Sequence, residues 1–290
     1  MAQAPSEKWV IVNGLDFHYR DWGGSGQPMV LLHGLASSCH IWDMVAPILA
    51  KDYAVIALDQ RGHGESAKPT EGYDFATVTQ DVLGVIDYLE GPPPIVVGHS
   101  WGGSVALELA VRAPESLQGM AWVDGGMINA SARYDSVEDA KLEMSPPDFT
   151  GVKLEDFKER VRNRHQGGGM APGSHEVVMA NFEVLADQTI KAWLTRANHL
   201  RIIEALWDHR PVQLYKQVQC PVLIMPARQQ ADPSTQDRGQ RRMFSVGEAE
   251  EMLPNSKTVW LENSVHDVPI QRPELVAEVL KSHINDGFFG

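Results

Sequence analysis

The sequence predicts an α/β fold, a mostly parallel eight-stranded sheet with helices on both faces and a helical insertion, and three observations predict it. Short, wholly apolar runs recur along the chain between turn residues, as expected of strands buried on both faces. Helix-length segments separate these runs, and such alternation builds a parallel sheet. Between Asp124 and the apolar run at Val222, a long stretch carries helical patterns and no clear strand.

The elements follow in chain order. Runs 9–13 and 15–21 flank Gly14 and read as an antiparallel hairpin at a sheet edge, ended by Trp22-Gly23-Gly24-Ser25-Gly26. Strands are expected at 29–32, 54–58 and 95–97, with helices at 42–50, 76–89 and 100–112, the last stopped by Ala113-Pro114. Another strand follows at 118–123. Helical patterns near 155–164, 175–185 and 190–209 are then split by Gly167-Gly168-Gly169 and Pro172-Gly173. The alternation resumes with a strand at 222–225, a helix at 245–252, a strand at 258–261 and a helix at 273–284. The chain therefore divides into a core of residues 1–126 and 213–290 and a helical cap, or lid, of residues 127–212 inserted after the sixth strand.

Composition removes several classes of function. The net charge is −13 and the longest basic run is Arg241-Arg242, whereas phosphate backbones need clustered cations, so no nucleic-acid partner is expected. Two cysteines, Cys39 and Cys220, are too few to staple a chain of 290 residues, and no disulfide is expected. The first residues show no apolar stretch after their charges, and no window holds about 18 consecutive apolar residues. No membrane span and a cytoplasmic location are the expectations. The histidines are scattered without helical metal-ligand spacing, and no phosphate loop or dinucleotide fingerprint follows the early strands, so neither a metal nor a cofactor is expected.

Gly98-His99-Ser100-Trp101-Gly102 follows an expected strand and opens an expected helix, the context that gives a G-x-S-x-G match meaning. A serine there sits on a strained turn that pushes its hydroxyl out over the sheet, and side chains at positions 98 and 102 would strike neighbouring backbone. The helix start also offers the Trp101 N–H to a developing negative charge. An isolated match would be better read as a chance glycine turn. Here other segments agree with it.

Asp59-Gln60-Arg61-Gly62-His63-Gly64-Glu65-Ser66, directly after a strand, resembles a stretch common in the α/β-hydrolase superfamily. The resemblance covers about residues 9–126 and 213–286, and it implies a structural role for this segment, so His63 and Glu65 are not catalytic candidates. It places the general base in the loop Asn263-Ser264-Val265-His266-Asp267, at His266, and the chain order Ser, acid, His is kept. A neutral imidazole suits proton abstraction near pH 7. It also assigns a second oxyanion donor to the loop after Val30-Leu31-Leu32-His33-Gly34-Leu35, with the Leu35 N–H as candidate and His33 as a brace.

The orienting acid has two candidates. Asp124 ends the sixth strand, a position some dehalogenase relatives use, while Asp232 fits the usual place after the seventh strand only with a longer loop; Asp237 is more distant. Haloalkane dehalogenases and epoxide hydrolases of this fold attack with an aspartate, and position 100 is a serine. The resemblance thus implies a carboxylic ester or lactone hydrolase working through an acyl-enzyme. The alternatives are a small-molecule sensor of the same fold with slow or no turnover, and a cofactor-free haloperoxidase, perhydrolase or carbon-carbon hydrolase. Met127, Met144, Met170, Met179, Phe182, Trp193 and Trp207 in the insertion either line a pocket for an apolar moiety of the substrate or hold the cap's helices together.

Overall fold

Side-chain alternation along the central strands sets the architecture. In the computed structural model, which describes residues 4–167, 169–229 and 236–290, the strands are β1 (Ser6–Val12), β2 (Leu15–Asp21), β3 (Pro28–Leu32), β4 (Ala54–Leu58), β5 (Ile95–His99), β6 (Gly119–Val123), β7 (Phe182–Val184), β8 (Ile190–Ala192), β9 (Val222–Met225), β10 (Ala227–Arg228), β11 (Ser256–Thr258) and β12 (Leu261–Glu262). Eight of them form one sheet in the order β1-β2-β4-β3-β5-β6-β9-β11. Only the β1–β2 and β2–β4 pairings are antiparallel, so the N-terminal hairpin is the edge and the rest runs parallel.

Val30 and Leu32, Met120 and Trp122, and Val222 and Ile224 face one core, while Met29 and Leu31, Ala121 and Val123, and Leu223 and Met225 face the other. With period two and a core on each face, every residue of a central strand must be apolar, which is why these runs show no polar alternation. Each large side chain buried this way contributes about 1.5–3 kcal/mol relative to exposure.

The helices are α1 (Ala46–Leu49), α2 (Phe75–Leu89), α3 (Trp101–Arg112), α4 (Val137–Met144), α5 (Leu154–Gly167), α6 (Ser174–Met179), α7 (Arg196–Asp208), α8 (Pro211–Leu214), α9 (Gln236–Met252), α10 (Val268–Gln271) and α11 (Pro273–Asn285). Side chains of α2 and α3 join the first core, with Asp74 capping α2 through the Thr77 N–H; those of α1, α10 and α11 join the second.

Three local expectations are corrected. The helix expected at 42–50 is a 3₁₀ turn, Cys39–Trp42, and the single turn of α1, with Pro47 near the helix start where its missing N–H costs nothing. The patterns at 175–185 and 190–209 are not two helices. They are α6, an antiparallel hairpin of β7 and β8, and α7, because Asp187 turns the chain by accepting from the Thr189 N–H and hydroxyl, and Thr195 caps α7. The strand expected at 258–261 divides into β11 in the main sheet and β12, which pairs with β10. The sequence reading also lacks α4, whose N-cap Ser136 accepts from the Asp139 N–H through its hydroxyl and donates the same hydroxyl to Asp139 Oδ2, a signal present in the sequence.

The segment between β6 and β9 is fastened to loops that follow the C-terminal ends of β3 and β4 and to α10. Ser38 Oγ donates to Asn181 Oδ1 at 2.8 Å, Asn198 Nδ2 donates to the Tyr73 hydroxyl at 2.6 Å, and the Ala171 N–H donates to the Ile270 carbonyl at 3.2 Å. Among the described residues, no helix is long and apolar enough to cross a membrane.

Candidate active site

Ser100 occupies the single-residue turn between β5 and α3, and its φ of 53° lies in the left-handed region that a non-glycine residue enters only at a cost. A Cβ on Gly98 would come within 2.3 Å of the Gly102 carbonyl oxygen, and one on Gly102 within 2.5 Å of the Leu32 oxygen. Both glycines of the motif are therefore required by close backbone approach. The Ser100 carbonyl accepts from the Gly103 and Gly126 amides, which pins the turn against the loop after β6.

That loop begins with Asp124, whose φ is 46°. The structure brings Ser100, His266 and Asp124 into one chain of hydrogen bonds: His266 Nδ1 donates to Asp124 Oδ2 at 2.7 Å, and His266 Nε2 lies 3.0 Å from Ser100 Oγ. With Nδ1–H committed to the carboxylate, Nε2 is left to accept the serine proton. Asp124 is buried, with a side chain 2% exposed, whereas that of His266 is 47% exposed.

Burial alone would push the Asp124 carboxyl up, but bonds from His266, Arg242 and the Ala227 amide hold it below its ordinary range. Burial likewise pulls His266 down, and the Asp124 bond and charge outweigh it, so its pKa is raised. Asp232, the competing acid, lies outside the described residues, as does the side chain of Asp237.

The two amides expected to hold an oxyanion flank this site. A Cβ placed on Gly34 would be 3.0 Å from Ser100 Cβ, so the loop carrying Leu35 runs directly beside the serine, and Trp101 is the first residue of α3. Among the described residues neither the Leu35 nor the Trp101 N–H donates to an acceptor outside its own element. Two buried imidazoles brace the Leu35 loop. His33 donates from Nδ1 to the Gly34 carbonyl and accepts at Nε2 from the Gln60 amide, while His63 donates to the Arg61 carbonyl and accepts from the Ala36 amide. Each needs a bare nitrogen, so each is neutral, and burial pushes both pKa values down. His33 thus does what the sequence suggests, and His63 joins it.

Two residues near the site were not anticipated. His99 donates from Nε2 to the His266 carbonyl at 2.9 Å; burial first, then the neighbouring His266, pushes its pKa down to about 4, so it stays neutral. Arg242 on α9 places Nη2 2.8 Å from Asp124 Oδ2. Sequence offered only the motif position of His99 and the dibasic run for Arg242.

One trio of side chains with metal-ligating atoms comes together among the described residues: His18, Cys39 and Asp59, within 4.8 Å of one another and buried. It is already knit by protein bonds. Asp59 accepts from His18 Nδ1 at 2.8 Å, from the Cys39 amide at 2.7 Å and from the Glu65 amide at 2.9 Å. Cys39 and Cys220 are buried free thiols.

Comparison with known proteins follows this geometry. The chain is 45% identical over 101 residues to a soluble epoxide hydrolase from a Corynebacterium species, an alignment covering 35% of each protein. The curated relatives it matches first are therefore spanned over only about a third of their length. Its fold is similar to that of an E-2-(acetamidomethylene)succinate hydrolase, with a TM-score of 0.76 at 19% identity over 97% of this chain and 99% of that one. It is similar also to an esterase from Exiguobacterium antarcticum, with a TM-score of 0.72 at 20% identity over 97% and 100%. The sequence model of the alpha/beta hydrolase family matches residues 29–279, most of the chain. Family match and sheet order agree, and the chain belongs to the alpha/beta hydrolase family.

Proposed function

We propose that this hydrolase cleaves a carboxylic ester or lactone through a Ser100–His266–Asp124 triad and an acyl-enzyme. The observation that carries the reading is the hydrogen-bonded line from Asp124 through His266 to the Ser100 hydroxyl. His266 Nε2 takes the hydroxyl proton as Oγ attacks the carbonyl carbon, and the Leu35 and Trp101 amides receive the oxyanion. The imidazolium, steadied by Asp124, then protonates the departing alkoxide. Water, deprotonated by the same nitrogen, releases the acid. Residues 127–212 act as a cap over the serine; Met127, Ile128 and Met144 pack against the first core, which is the structural one of the two roles the sequence left open for the apolar residues of the insertion.

The similarity to an epoxide hydrolase makes epoxide opening the competing chemistry. It is disfavoured because that branch attacks with an aspartate and this turn carries a serine. The test is turnover of a short-chain chromogenic ester and of an aryl epoxide by the wild type and by Ser100→Ala. Ester turnover with a burst, lost in the variant, supports the proposal; ester turnover undiminished in Ser100→Ala, or epoxide turnover alone, overturns it. Stoichiometric ester binding without turnover would instead fit a sensor.

A further inference from the structure

Asp124 is held by more than its histidine. Its Oδ1 accepts from the Ala227 amide at 2.9 Å, and its Oδ2 is shared by His266 Nδ1 at 2.7 Å and Arg242 Nη2 at 2.8 Å. Arg242 Nη1 in turn donates to the Ala227 carbonyl at 2.7 Å. The guanidinium therefore closes a ring: it grips the carboxylate and the very residue whose amide grips the other carboxylate oxygen. A planar fork suits this double hold, and a side chain 22% exposed beside one 2% exposed places the positive charge where water screens it weakly.

We infer that Arg242 is a positioning residue of the active site, fixing the Asp124 carboxylate toward His266 and tempering that carboxylate's pull on a proton held by the imidazole. This rests on reading Ser100, His266 and Asp124 as a triad. An aspartate alone, in a dry pocket 2.7 Å from the ring, favours the imidazolium and so opposes the neutral base needed at the start of each cycle. A cation sharing the same oxygen offsets part of that attraction, and it disfavours positive charge on the nearby ring. Other charged or titratable groups facing His266 among the described residues are Asp267 beside it, which favours the imidazolium, and neutral His99 from β5. Arg242 is the cation that opposes the two aspartates.

The pH profile of kcat/KM for wild type, Arg242→Gln and Arg242→Lys, measured with the ester substrate, tests this together with a nitrogen-detected NMR titration of His266. In Arg242→Gln the acid limb and the NMR titration are expected to move together to higher pH. Below the limb's midpoint the rate should fall several-fold, since each pH unit of displacement changes the deprotonated fraction tenfold. Arg242→Lys should return both curves most of the way. Arg242→Met, which keeps the apolar stem, is the second neutral variant should Arg242→Gln not fold. An unmoved His266 titration in the neutral variants overturns the inference even if kcat drops, because a merely structural loss lowers the plateau without shifting the curve. If the wild type lacks ester turnover, the proposed function fails while the NMR titration still decides this inference.

Discussion

Two aspartate–histidine pairs stand at the ends of neighbouring parts of the same sheet, and they look alike until the far nitrogen is considered. Asp59 after β4 bonds His18 Nδ1 at 2.8 Å, and Asp124 after β6 bonds His266 Nδ1 at 2.7 Å; both carboxylates are buried. At the first pair, His18 Nε2 meets Glu7 Oε2 at 2.9 Å. Both ring nitrogens then face carboxylates, both must donate, and His18 is an imidazolium with no lone pair to offer. At the second pair, Nε2 meets a hydroxyl that can itself donate, and the ring is half-exposed. The same Asp–His bond therefore gives a structural ion pair in one place and a candidate base in the other. The third partner and access to solvent decide which.

The largest expected effect separates the pairs directly. Asp124→Asn should cut kcat/KM by about 10⁴-fold, the loss seen when a triad acid is replaced by its amide, with the fold intact. Asp59→Asn should do the reverse: up to about 3–5 kcal/mol of stability lost, the usual consequence of removing one partner of a buried ion pair, with Glu7 still facing His18, and near-normal kcat/KM per folded molecule. Thermal melting alongside activity normalised by active-site titration reads both. If Asp59→Asn abolishes turnover in fully folded protein, the division of labour is wrong.

The pH dependence sharpens the same contrast. His266 must be neutral to act, and its pKa is raised, chiefly by Asp124 against the opposing effect of burial, so kcat/KM should rise with pH through a midpoint above the ordinary histidine value near 6.5. In the residual activity of Asp124→Asn, that limb should move to lower pH. Movement upward would mean that another carboxylate orients the ring. A smaller loss is expected from His99→Phe, which keeps a ring against Trp42 but leaves the His266 carbonyl without its donor. Removing one such bond should cost about tenfold in kcat/KM at the plateau. An unchanged plateau would show that the loop needs no such tether.

What could be read from the sequence follows the physics of each signal. The central strands were legible because a run such as Val222 to Met225 is apolar on both faces, a pattern few other environments demand. Ser100 stands out as a candidate because two glycines bracket it at fixed spacing, and His266 because it sits in a loop that chain order points to. Asp124 could not be preferred over Asp232 in the same way, since its bond to His266 joins residues 142 positions apart in the chain, and Asp232 lies outside the described residues. The hairpin of β7 and β8 was lost to its length: strands of three residues carry too little period-two signal to stand against a helical pattern. His18 and Asp59 lie 41 residues apart in sequence, and nothing local marks either as the other's partner.

The smallest expected effect tests the claim that His18 is charged. Its folded pKa is raised, because the Asp59 and Glu7 bonds outweigh burial, so its contribution to stability is complete below the unfolded value near 6.5 and is lost as pH rises through the folded value. Asp59 is depressed by His18 and the Cys39 amide despite burial, so its share is present above about pH 4 and is lost as pH falls through its folded value. The pair is thus strongest between those limits. His33 and His63 have lowered pKa values and favour the fold at higher pH, which would mask the effect in the wild type alone. Subtracting the Tm of His18→Gln from that of the wild type removes them, and this difference should be larger by a few degrees at pH 6 than at pH 9. An equal difference at both values would mean that His18 is neutral throughout, and the contrast with His266 would then rest on solvent access alone.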